Sequence, residues 1–399
     1  MRAWIYFQAF LIYKKFKVMK KILVIGALVA AAFNQGCKKP EQDNRTYVIE
    51  NVTIAGKTYT KVAGEINDKL VMTSDKNWLL SGGVFVGKNA TLEIPEGQTI
   101  YADPAITTFL SVKQGGKIMA EGSSNNPIVF TPLKDNPTYG DWGGIIVNGY
   151  ATINTGNTAE GEGGTGIYGG SDDNDNSGTL RYIRVEYAGK ILGTDNELNG
   201  FSFNGVGDGT TVEYIQAYKG SDDGIEFFGG TVNVRYAVST HNQDDAFDWT
   251  HGWRGKGQYW IVRQGPDGGD RGIEADNNGD DNTLAPYSNP TLANITLVGF
   301  DDGDGSNTGM RLREGTKGKI YNAYVTGFPK YGVRVSDEVT LANMAAGELF
   351  VANSMIGGNG TDFKDCDTFQ NFQAVLTDGW FLPDTEVGAG DAWTAGWTK

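Results

Sequence analysis

The stretch SDDGIEFFGG (221–230) and the stretch QDDAFDWTHG (243–252) are two versions of one pattern, displaced by 22 residues. The segments just upstream, VEYIQAY from Val212 and VRYAVST from Val234, are displaced by the same 22 residues. Each repeat therefore holds two short runs of strand-forming residues, separated by Gly, Asp and Asn, with no helical pattern between them. Such a repeat is typical of a solenoid and, at this length, predicts a right-handed parallel β-helix in which each repeat forms one coil.

The same strand recurs in six coils, and its alternate positions are apolar. The six segments are GFSF from Gly200, GIEFF from Gly224, AFDWT from Ala246, GIEAD from Gly272, GMRLR from Gly309 and GVRVS from Gly332. The positions predicted to point inward are Phe201, Ile225, Phe247, Ile273, Met310 and Val333, then Phe203, Phe227, Trp249, Ala275, Leu312 and Val335. Apolar residues at period two are what a half-buried strand requires. The sequence therefore predicts an all-β fold, a single-domain parallel β-helix solenoid with a cap at each end.

Residues 1–36 predict a bacterial signal peptide whose true start is Met19. Two lysines follow Met19, and the apolar run 22–33 that comes next is too short to span a membrane. The end of this segment resembles a lipobox, which predicts Cys37 as the lipidated N-terminus of the mature chain. Residues 37–47 would then form a polar tether to the outer membrane, with the body at the cell surface or on the periplasmic face. Plain secretion is the alternative.

The remaining chain is predicted to be one capped solenoid at 48–360, followed by a C-terminal cap at 361–399. Its first part, 48–78, has an irregular pattern and is interpreted as the N-terminal cap that covers the first coil. Five further segments predict loops that stand on one side of the solenoid and lengthen a groove wall: 156–177, 191–199, 265–269, 277–290 and 301–307.

The chain is acidic, with a formal net charge of −14. Removing residues 1–36 takes away six basic residues and no acids, which leaves a net charge of −20. A surface this acidic repels nucleic acid and anionic lipid head groups, so nucleic acid is excluded as a partner. Neutral glycans, cations and basic partners remain compatible with it. With Cys37 acylated, Cys366 has no second cysteine, and no intramolecular disulfide is expected.

Several segments, in this order, resemble a β-helix lipoprotein family common in Bacteroidetes. They are VFVGKNATLEIPEGQTI (84–100), KIMAEGSSNNPIVFT (117–131), GDWGGIIVNG (140–149), LRYIRVEYAG (180–189) and the two repeats quoted above. The resemblance covers nearly all of the mature chain. It implies a pectin-lyase-like fold and an outer-membrane lipoprotein, and it implies no particular reaction. A β-helix without membrane strands cannot itself be a transporter.

Charged side chains occupy most outward positions of the stacked strand. These positions are Ser202, Glu226, Asp248, Glu274, Arg311 and Arg334, and beside them Asn204, Phe228, Thr250, Asp276, Arg313 and Ser336. Neighbouring coils lie ~4.8 Å apart, so successive carboxylates repel one another. One explanation is an ion-pair ladder that joins the last acidic residues to the arginines. The other is a ligand or metal site with Ca²⁺ as the candidate cofactor. The candidate Ca²⁺ ligands are Glu226, Asp248, Glu274 and Asp276.

The two Asp-Asp pairs resemble the acidic motifs of polygalacturonase-type glycoside hydrolases, which also use a β-helix. In those enzymes carboxylates on adjacent coils act as the general acid and as the base for an inverting water. The resemblance places Asp223, Asp244 and Asp245 in these roles, and the GMRLR segment on the substrate-binding motif. The histidine expected one coil later is absent, because that coil has Asp-Arg-Gly at 270–272. The alternative is that these aspartates cap free amides in tight turns.

Three hypotheses about function follow. The first is a cell-surface lipoprotein that binds an extracellular polymer, a polysaccharide, along the groove. Its candidate binding residues are Glu226, Asp248, Glu274, Arg311, Arg313, Arg334 and Trp253, with Tyr259 and Trp260 as further aromatic platforms. The second is a polysaccharide-degrading enzyme, a hydrolase or a lyase, that uses the paired aspartates. The third is a structural or adhesive surface protein.

Overall fold

The structure is a computed structural model that describes residues 46–193, 196–303, 305–366, 376 and 378–399. The predicted signal peptide, Cys37 and most of the predicted tether lie outside the described residues. The predicted tether extends too far, because strand structure already begins at Thr46 and Tyr47 is buried. Among the residues that the structure describes, no helix is both long enough and apolar enough to cross a membrane.

Twenty-five strands of the described chain form one continuous sheet. The strands, in chain order, are β1 (Thr46–Ile54), β2 (Lys57–Ile66), β3 (Lys69–Val71), β4 (Trp78–Val86), β5 (Thr91–Ile94), β6 (Thr99–Ala102), β7 (Phe109–Val112), β8 (Lys117–Glu121), β9 (Ile128–Pro132), β10 (Ile145–Asn148), β11 (Ala159–Glu160), β12 (Ile167–Tyr168), β13 (Gly178–Glu186), β14 (Ile191–Gly193), β15 (Asn196–Glu197), β16 (Phe201–Val206), β17 (Thr211–Tyr218), β18 (Ile225–Gly230), β19 (Asn233–Thr240), β20 (Phe247–Thr250), β21 (Lys256–Arg263), β22 (Arg271–Ala275), β23 (Thr291–Val298), β24 (Thr308–Leu312), β25 (Gly318–Thr326), β26 (Tyr331–Val335), β27 (Leu349–Ala352), β28 (Met355–Ile356) and β29 (Thr361–Lys364). An α-helix, α1, spans Glu338–Ala345, and short 3₁₀ helices span Glu162–Gly164 and Ala392–Thr394. Two small antiparallel hairpins, β11–β12 and β14–β15, lie outside the large sheet.

Successive coils each place one short strand on the surface that we call face A. It consists of β7, β10, β16, β18, β20, β22, β24 and β26, paired in parallel in that order. The predicted alignment is confirmed, since Phe201 pairs with Ile225 and Ile225 with Phe247. These side chains, like Phe227 and Trp249 in the next inward column, are fully buried in a core that extends along the solenoid. The chain is therefore an all-β, single-domain, right-handed parallel β-helix, as predicted.

The long strands of the coils bend at one residue that has a left-handed backbone. In β13, β17, β19 and β21 this residue is a tyrosine: Tyr182, Tyr214, Tyr236 and Tyr259, with φ of 50°, 55°, 63° and 60°. A left-handed backbone costs roughly 1–2 kcal/mol at a residue other than glycine. Stacking of the four rings offsets this cost, because successive ring centroids lie 4.2, 4.2 and 4.9 Å apart and the rings are nearly parallel. The corner is not visible in the sequence, where VEYIQAY reads as one uninterrupted strand.

The N-terminal cap is a β-hairpin and not the irregular segment that the sequence suggests. β1 and β2 pair antiparallel along their whole length, and β2 then pairs in parallel with β4. Tyr47, Val62 and Ile66 of this hairpin join the core. The hairpin therefore covers the first coil with regular, hydrogen-bonded strands.

The C-terminal residues differ from the predicted cap. β29 still belongs to the solenoid because it pairs with β26, and the unforeseen helix α1 packs Leu341 and Met344 against the core. Asp337 caps α1 by accepting a hydrogen bond from the backbone N–H of Thr340. Residues 378–399, which we call the C-terminal strap, lie along the side of the solenoid and cross the tyrosine corners.

Two glutamine side chains hold the backbone of the C-terminal strap. Gln258 both donates to and accepts from the backbone of Leu382, at 2.9 Å in each case. Gln216 pairs in the same way with Lys399, at 3.1 and 2.9 Å. Between these two clamps Trp397 is fully buried against the stacked tyrosines. The strap is therefore a packed part of the fold.

Candidate functional site: an acidic cleft

A cleft of about 420 Å³ opens on face A, where the predicted column of carboxylates lies. Among the described residues, nine carboxylates line it together with Arg271 and Arg313: Glu162, Glu197, Asp222, Asp223, Glu226, Asp244, Asp245, Asp248 and Glu274. We call it the acidic cleft. It brings together all three predicted catalytic aspartates and three of the four predicted Ca²⁺ ligands.

The repeat itself builds the floor of the acidic cleft. Glu226 pairs with Asp248, and Asp248 with Glu274, on three successive strands of face A. Each follows an inward apolar residue, so the alternation of a strand points the carboxylate outward. The turns that precede β18 and β20 add the aspartate pairs at 222–223 and 244–245. The cleft thus holds two layers of carboxylates, one on the strands and one in the turns.

Two loop excursions form the wall of the acidic cleft. Glu162 lies in a 3₁₀ helix of the first loop, and Glu197 ends the β14–β15 hairpin of the second. The loops touch each other, because the backbone N–H of Gly163 donates to Asn196 Oδ1 at 2.8 Å. Leu198 anchors the hairpin in a buried apolar cluster on face A. The predicted groove wall therefore exists at 156–177 and 191–199, although each loop also contains a small hairpin that the sequence did not predict.

Two of the predicted catalytic aspartates hold turn amides. Asp223 Oδ1 accepts a hydrogen bond from the backbone N–H of Asp245 at 3.0 Å. Asp245 Oδ1 accepts one from the backbone N–H of Arg271 at 2.6 Å. Each carboxylate thus ties one coil to the next, which is the turn-capping role that stood as the alternative to catalysis. Asp244, the third, is the more exposed of its pair.

The ion-pair ladder exists at one end of the carboxylate column. Arg313 binds both oxygens of Asp276, and its Nε lies 2.8 Å from Asp276 Oδ1. Arg313 Nη2 also lies 2.6 Å from Glu274 Oε2. Arg271 Nε lies 3.1 Å from Glu274 Oε1, and Arg311 is 3.7 Å from the same oxygen. Glu274 and Asp276 are therefore neutralised by protein cations.

The other end of the column has no such neutralisation. No ion pair joins a described basic residue to Glu226 or Asp248. Glu226 Oε2 accepts a hydrogen bond from Asn199 at 2.6 Å. Asp248 Oδ1 is inaccessible to solvent and has no hydrogen-bond partner among the described residues. A buried carboxylate oxygen without a partner is costly, so this position favours a cation.

The carboxyl groups of the acidic cleft have raised pKa values because they are buried close to one another. Burial, reinforced by the charge of Glu197, raises the pKa of Asp222 to about 8 and the pKa of Glu162 to about 7. Burial and the neighbouring carboxylates also raise the pKa of Asp223, Glu226, Asp245 and Asp248. Burial disfavours the charged form, and each further carboxylate adds repulsion. Without a cation, the acidic cleft therefore retains protons at neutral pH.

The spacing of the carboxylates suits divalent cations. In four trios of the described residues, each residue offers one oxygen within 4.8 Å of the other two: Glu197/Asp222/Asp244, Asp223/Glu226/Asp248, Asp223/Asp244/Asp245 and Asp245/Asp248/Glu274. Ca²⁺ binds oxygen at roughly 2.3–2.6 Å, so two ligands of one ion are at most about 5 Å apart. Asp276, a predicted Ca²⁺ ligand, belongs to none of these trios, and Arg313 engages both of its oxygens.

The predicted binding residues divide into an accessible set and a buried one. The side chains of Arg311 and Arg334, next to the cleft on face A, are 26% and 34% exposed and can reach a ligand. Trp253 cannot, and its prediction as a sugar platform is wrong. It is fully buried, stacked on Phe227 at 4.1 Å, and its ring N–H donates to Val232 O. Trp260 is likewise in the core, and Tyr259 lies among the stacked tyrosines.

Sequence analysis did not single out four of the charged residues that line the acidic cleft. They are Glu162, Glu197, Asp222 and Arg271. Asp222 directly precedes Asp223, so its position in the repeat contained a usable signal. The two glutamates lie in loops whose sequence does not indicate where they pack.

Comparison with known proteins yields one match. A protein-family profile, described as a pectate-lyase-like β-helix domain, matches residues 64–398. No curated protein and no solved structure matches the chain.

Proposed function

This chain belongs to the pectate-lyase-like β-helix family, and we propose that it binds an anionic polysaccharide in the acidic cleft through divalent cations. The observation that carries the proposal is the set of four overlapping carboxylate trios, each tight enough to share one ion. Asp248 belongs to two of these trios, and its buried Oδ1, which has no hydrogen-bond partner among the described residues, supports the same interpretation. The family also favours a role that involves carbohydrate.

Cations explain how so acidic a cleft could attract an anionic polymer. The nine carboxylates of the cleft face only two arginines, so a bare cleft would repel a uronate. Ca²⁺ takes six to eight oxygen ligands, more than one trio supplies, and its free positions can accept sugar oxygens. Arg311 and Arg334 then offer guanidinium groups to the next anionic units along face A.

The geometry favours binding over hydrolysis. The two carboxyl groups of glycosidases are roughly 6.5–9.5 Å apart in inverting enzymes and about 5–5.5 Å apart in retaining ones. Asp223, Asp244 and Asp245 each have one oxygen within 4.8 Å of an oxygen of the other two, which leaves little room for the attacking water of an inverting enzyme. Asp223 and Asp245 also hold backbone amides, which a freely titrating acid or base would not.

The proposal includes the location. We propose that Cys37 is lipidated and anchors the solenoid in the outer membrane, at the cell surface, where extracellular polymer is available. Cys37→Ser should release the protein from the membrane fraction. A variant that still sediments with outer membranes at high salt would contradict the anchor and leave the binding proposal untouched.

Calorimetry tests the cation step. Ca²⁺ titrated into chelator-treated protein should bind. Asp248→Asn should weaken Ca²⁺ binding at least about tenfold, because two of the four trios lose a charged ligand. Asp208→Asn removes an exposed carboxylate outside the acidic cleft and should change nothing. Equal Ca²⁺ binding by wild type and Asp248→Asn would contradict the site.

Retention on immobilised polygalacturonate tests the binding step. We expect strong retention with Ca²⁺, markedly weaker retention with chelator, and no shortening of the polymer. Release of reducing ends by the wild type, lost in Asp245→Asn at unchanged melting temperature, would instead establish the hydrolase.

A further inference from the structure

A second depression lies on the same side of the solenoid, near its N-terminal coils. Its volume is about 440 Å³, and we call it the lysine basin. Its lining includes Glu65, Phe85, Lys88, Lys113, Tyr150 and Ile167. Phe85 is an outward residue of β4, which pairs with β7 at the start of face A. The basin is therefore aligned with the acidic cleft along face A.

One loop separates the two depressions. Gly164, Gly166 and Ile167 face the lysine basin, whereas Glu162 of the same loop faces the acidic cleft. Four strand steps, from β4 through β7, β10 and β16 to β18, connect the two along face A. At ~4.8 Å per step, this corresponds to roughly 19 Å. An extended polymer can span that distance.

The charge of the lysine basin is opposite to that of the acidic cleft. Lys113 Nζ is paired with Glu65 Oε2 at 2.6 Å, and it lies 4.8 Å from the centroid of the Phe85 ring. Lys88 is exposed and has no carboxylate within ion-pair distance among the described residues. The described lining therefore has one uncompensated positive charge, and it attracts an anion without any metal.

Two residues that line the lysine basin pack over a glycine. A Cβ at Gly115, which has φ of 76°, would be 3.1 Å from Lys88 Cγ and 3.4 Å from Tyr150 Oη. Lys88 and Tyr150 thus converge over a residue that has no side chain. Ile167 is 49% exposed at the rim and, with Phe85, gives the depression an apolar surface. A few polar groups over an apolar floor are typical of a small-ligand site.

We propose that the lysine basin binds an anionic sugar unit directly, with its carboxylate or sulfate on Lys88 and its apolar face against Phe85, Tyr150 and Ile167. The inference rests on the proposed function in one respect, namely that the ligand is part of the anionic polymer held in the acidic cleft. The protein then grips one chain at two places by different chemistry. The cleft holds anions through cations, and the basin holds them through a lysine.

The test uses digalacturonate, which is too short to span both depressions, in the presence of chelator. Full-length chain should bind it, and Lys88→Glu should weaken this binding at least about tenfold, which corresponds to ~1.4 kcal/mol. The matched control Lys117→Glu reverses an exposed lysine on β8, outside the basin, and should bind as wild type does. The melting temperature reports whether each variant is folded.

The outcomes separate this inference from the proposed function. Equal binding by wild type and Lys88→Glu, or equal binding of a neutral disaccharide, would overturn the lysine basin. If Ca²⁺ proves to have no effect on polymer retention, the acidic-cleft proposal fails while the Lys88 result stands.

Discussion

Residues of the same type stack from coil to coil in two places, and the stacking is favourable in one place and unfavourable in the other. On one side lies the tyrosine ladder, formed by Tyr182, Tyr214, Tyr236 and Tyr259, with neighbouring rings 4.2–4.9 Å apart. On face A lies the carboxylate ladder, formed by Glu226, Asp248 and Glu274. Both arise because a β-helix places equivalent residues one coil apart. Stacked rings attract, whereas carboxylates at the same spacing repel.

The two ladders differ in whether the chain itself completes them. The tyrosine ladder is completed within the chain, since the C-terminal strap covers it with Trp393 and Trp397. The carboxylate ladder is completed by arginines only as far as Glu274. Among the described residues, no basic side chain forms an ion pair with Glu226 or Asp248, and these are the positions at which we propose a bound cation. Unfavourable arrangements of this kind are typical of functional sites.

The largest effect is expected where the tyrosine ladder meets the strap. Trp397→Ala removes a fully buried indole, and we expect a loss of about 3–5 kcal/mol in the free energy of unfolding. Leu382→Ala is the matched control on the same strap, because the Leu382 side chain is 39% exposed. It should change stability by no more than about 0.5 kcal/mol. Urea unfolding measures both, and similar losses would contradict the packing of the strap.

In the carboxylate ladder, a substitution should stabilise the protein when cations are absent and reduce its stabilisation when Ca²⁺ is present. In chelator, Asp248 must either carry its charge beside neighbouring carboxylates or take up a proton on folding. Asn has neither cost, so Asp248→Asn should raise the free energy of unfolding. With Ca²⁺ at about 100 times its dissociation constant, the wild type should gain about 2.7 kcal/mol, and the variant much less. Thermal unfolding of both proteins in chelator and in Ca²⁺ measures this reversal. An equal gain in both would place the cation elsewhere.

The pH dependence of the free energy of unfolding should differ between the cation-free and the Ca²⁺-bound protein. The pKa values of Asp222, about 8, and Glu162, about 7, exceed their ordinary values of 3.8 and 4.5, so the folded chain binds more protons than the unfolded chain between these limits. Stability in chelator should therefore fall as pH rises from about 5 to about 8. We expect a fall of about 1–2 kcal/mol, because solvent reaches part of the cleft. Saturating Ca²⁺ should abolish it. Urea midpoints that stay constant in chelator would contradict the raised pKa values.

The smallest effect is expected inside the tyrosine ladder. Tyr214→Phe keeps the ring and both of its stacking contacts, so the free energy of unfolding should change by no more than about 0.5 kcal/mol. Glu226→Gln is the corresponding change in the other ladder and should alter the response to Ca²⁺. Thermal unfolding compares the two. A large loss in Tyr214→Phe would mean that hydroxyl contacts, and not stacking, hold the corners.

Much of the carboxylate ladder was predictable because it is written into the repeat. A 22-residue period places Glu226 beside Asp248, and the alternation of the strand puts both on the outside. The same reasoning could not predict that arginines neutralise one end of the carboxylate ladder and leave the other end without ion pairs. That division depends on which oxygens Arg271 and Arg313 reach, a matter of side-chain geometry that the strand pattern does not contain.

Trp253 illustrates the limit of assigning residues by type. Its aromatic side chain suggested a sugar platform, yet this indole points inward and stacks on Phe227. Trp253 follows the end of β20 at Thr250 and a glycine with φ of 83°, so the periodicity of a strand does not apply to it. The period-two rule applies within strands and carries no information in the turns between them.

The sequence alone determined the coil, its register and the columns of residues that face inward and outward, because each depends on neighbours one repeat away. The tertiary structure alone decided where the non-repeating segments lie: Glu162 and Glu197 in the wall of the acidic cleft, and the C-terminal strap across the tyrosine ladder. The physical reason is that the entropy of closing a loop depends only weakly on its length. The docking position of such a segment is therefore set by contacts with distant coils, and its own sequence does not specify it.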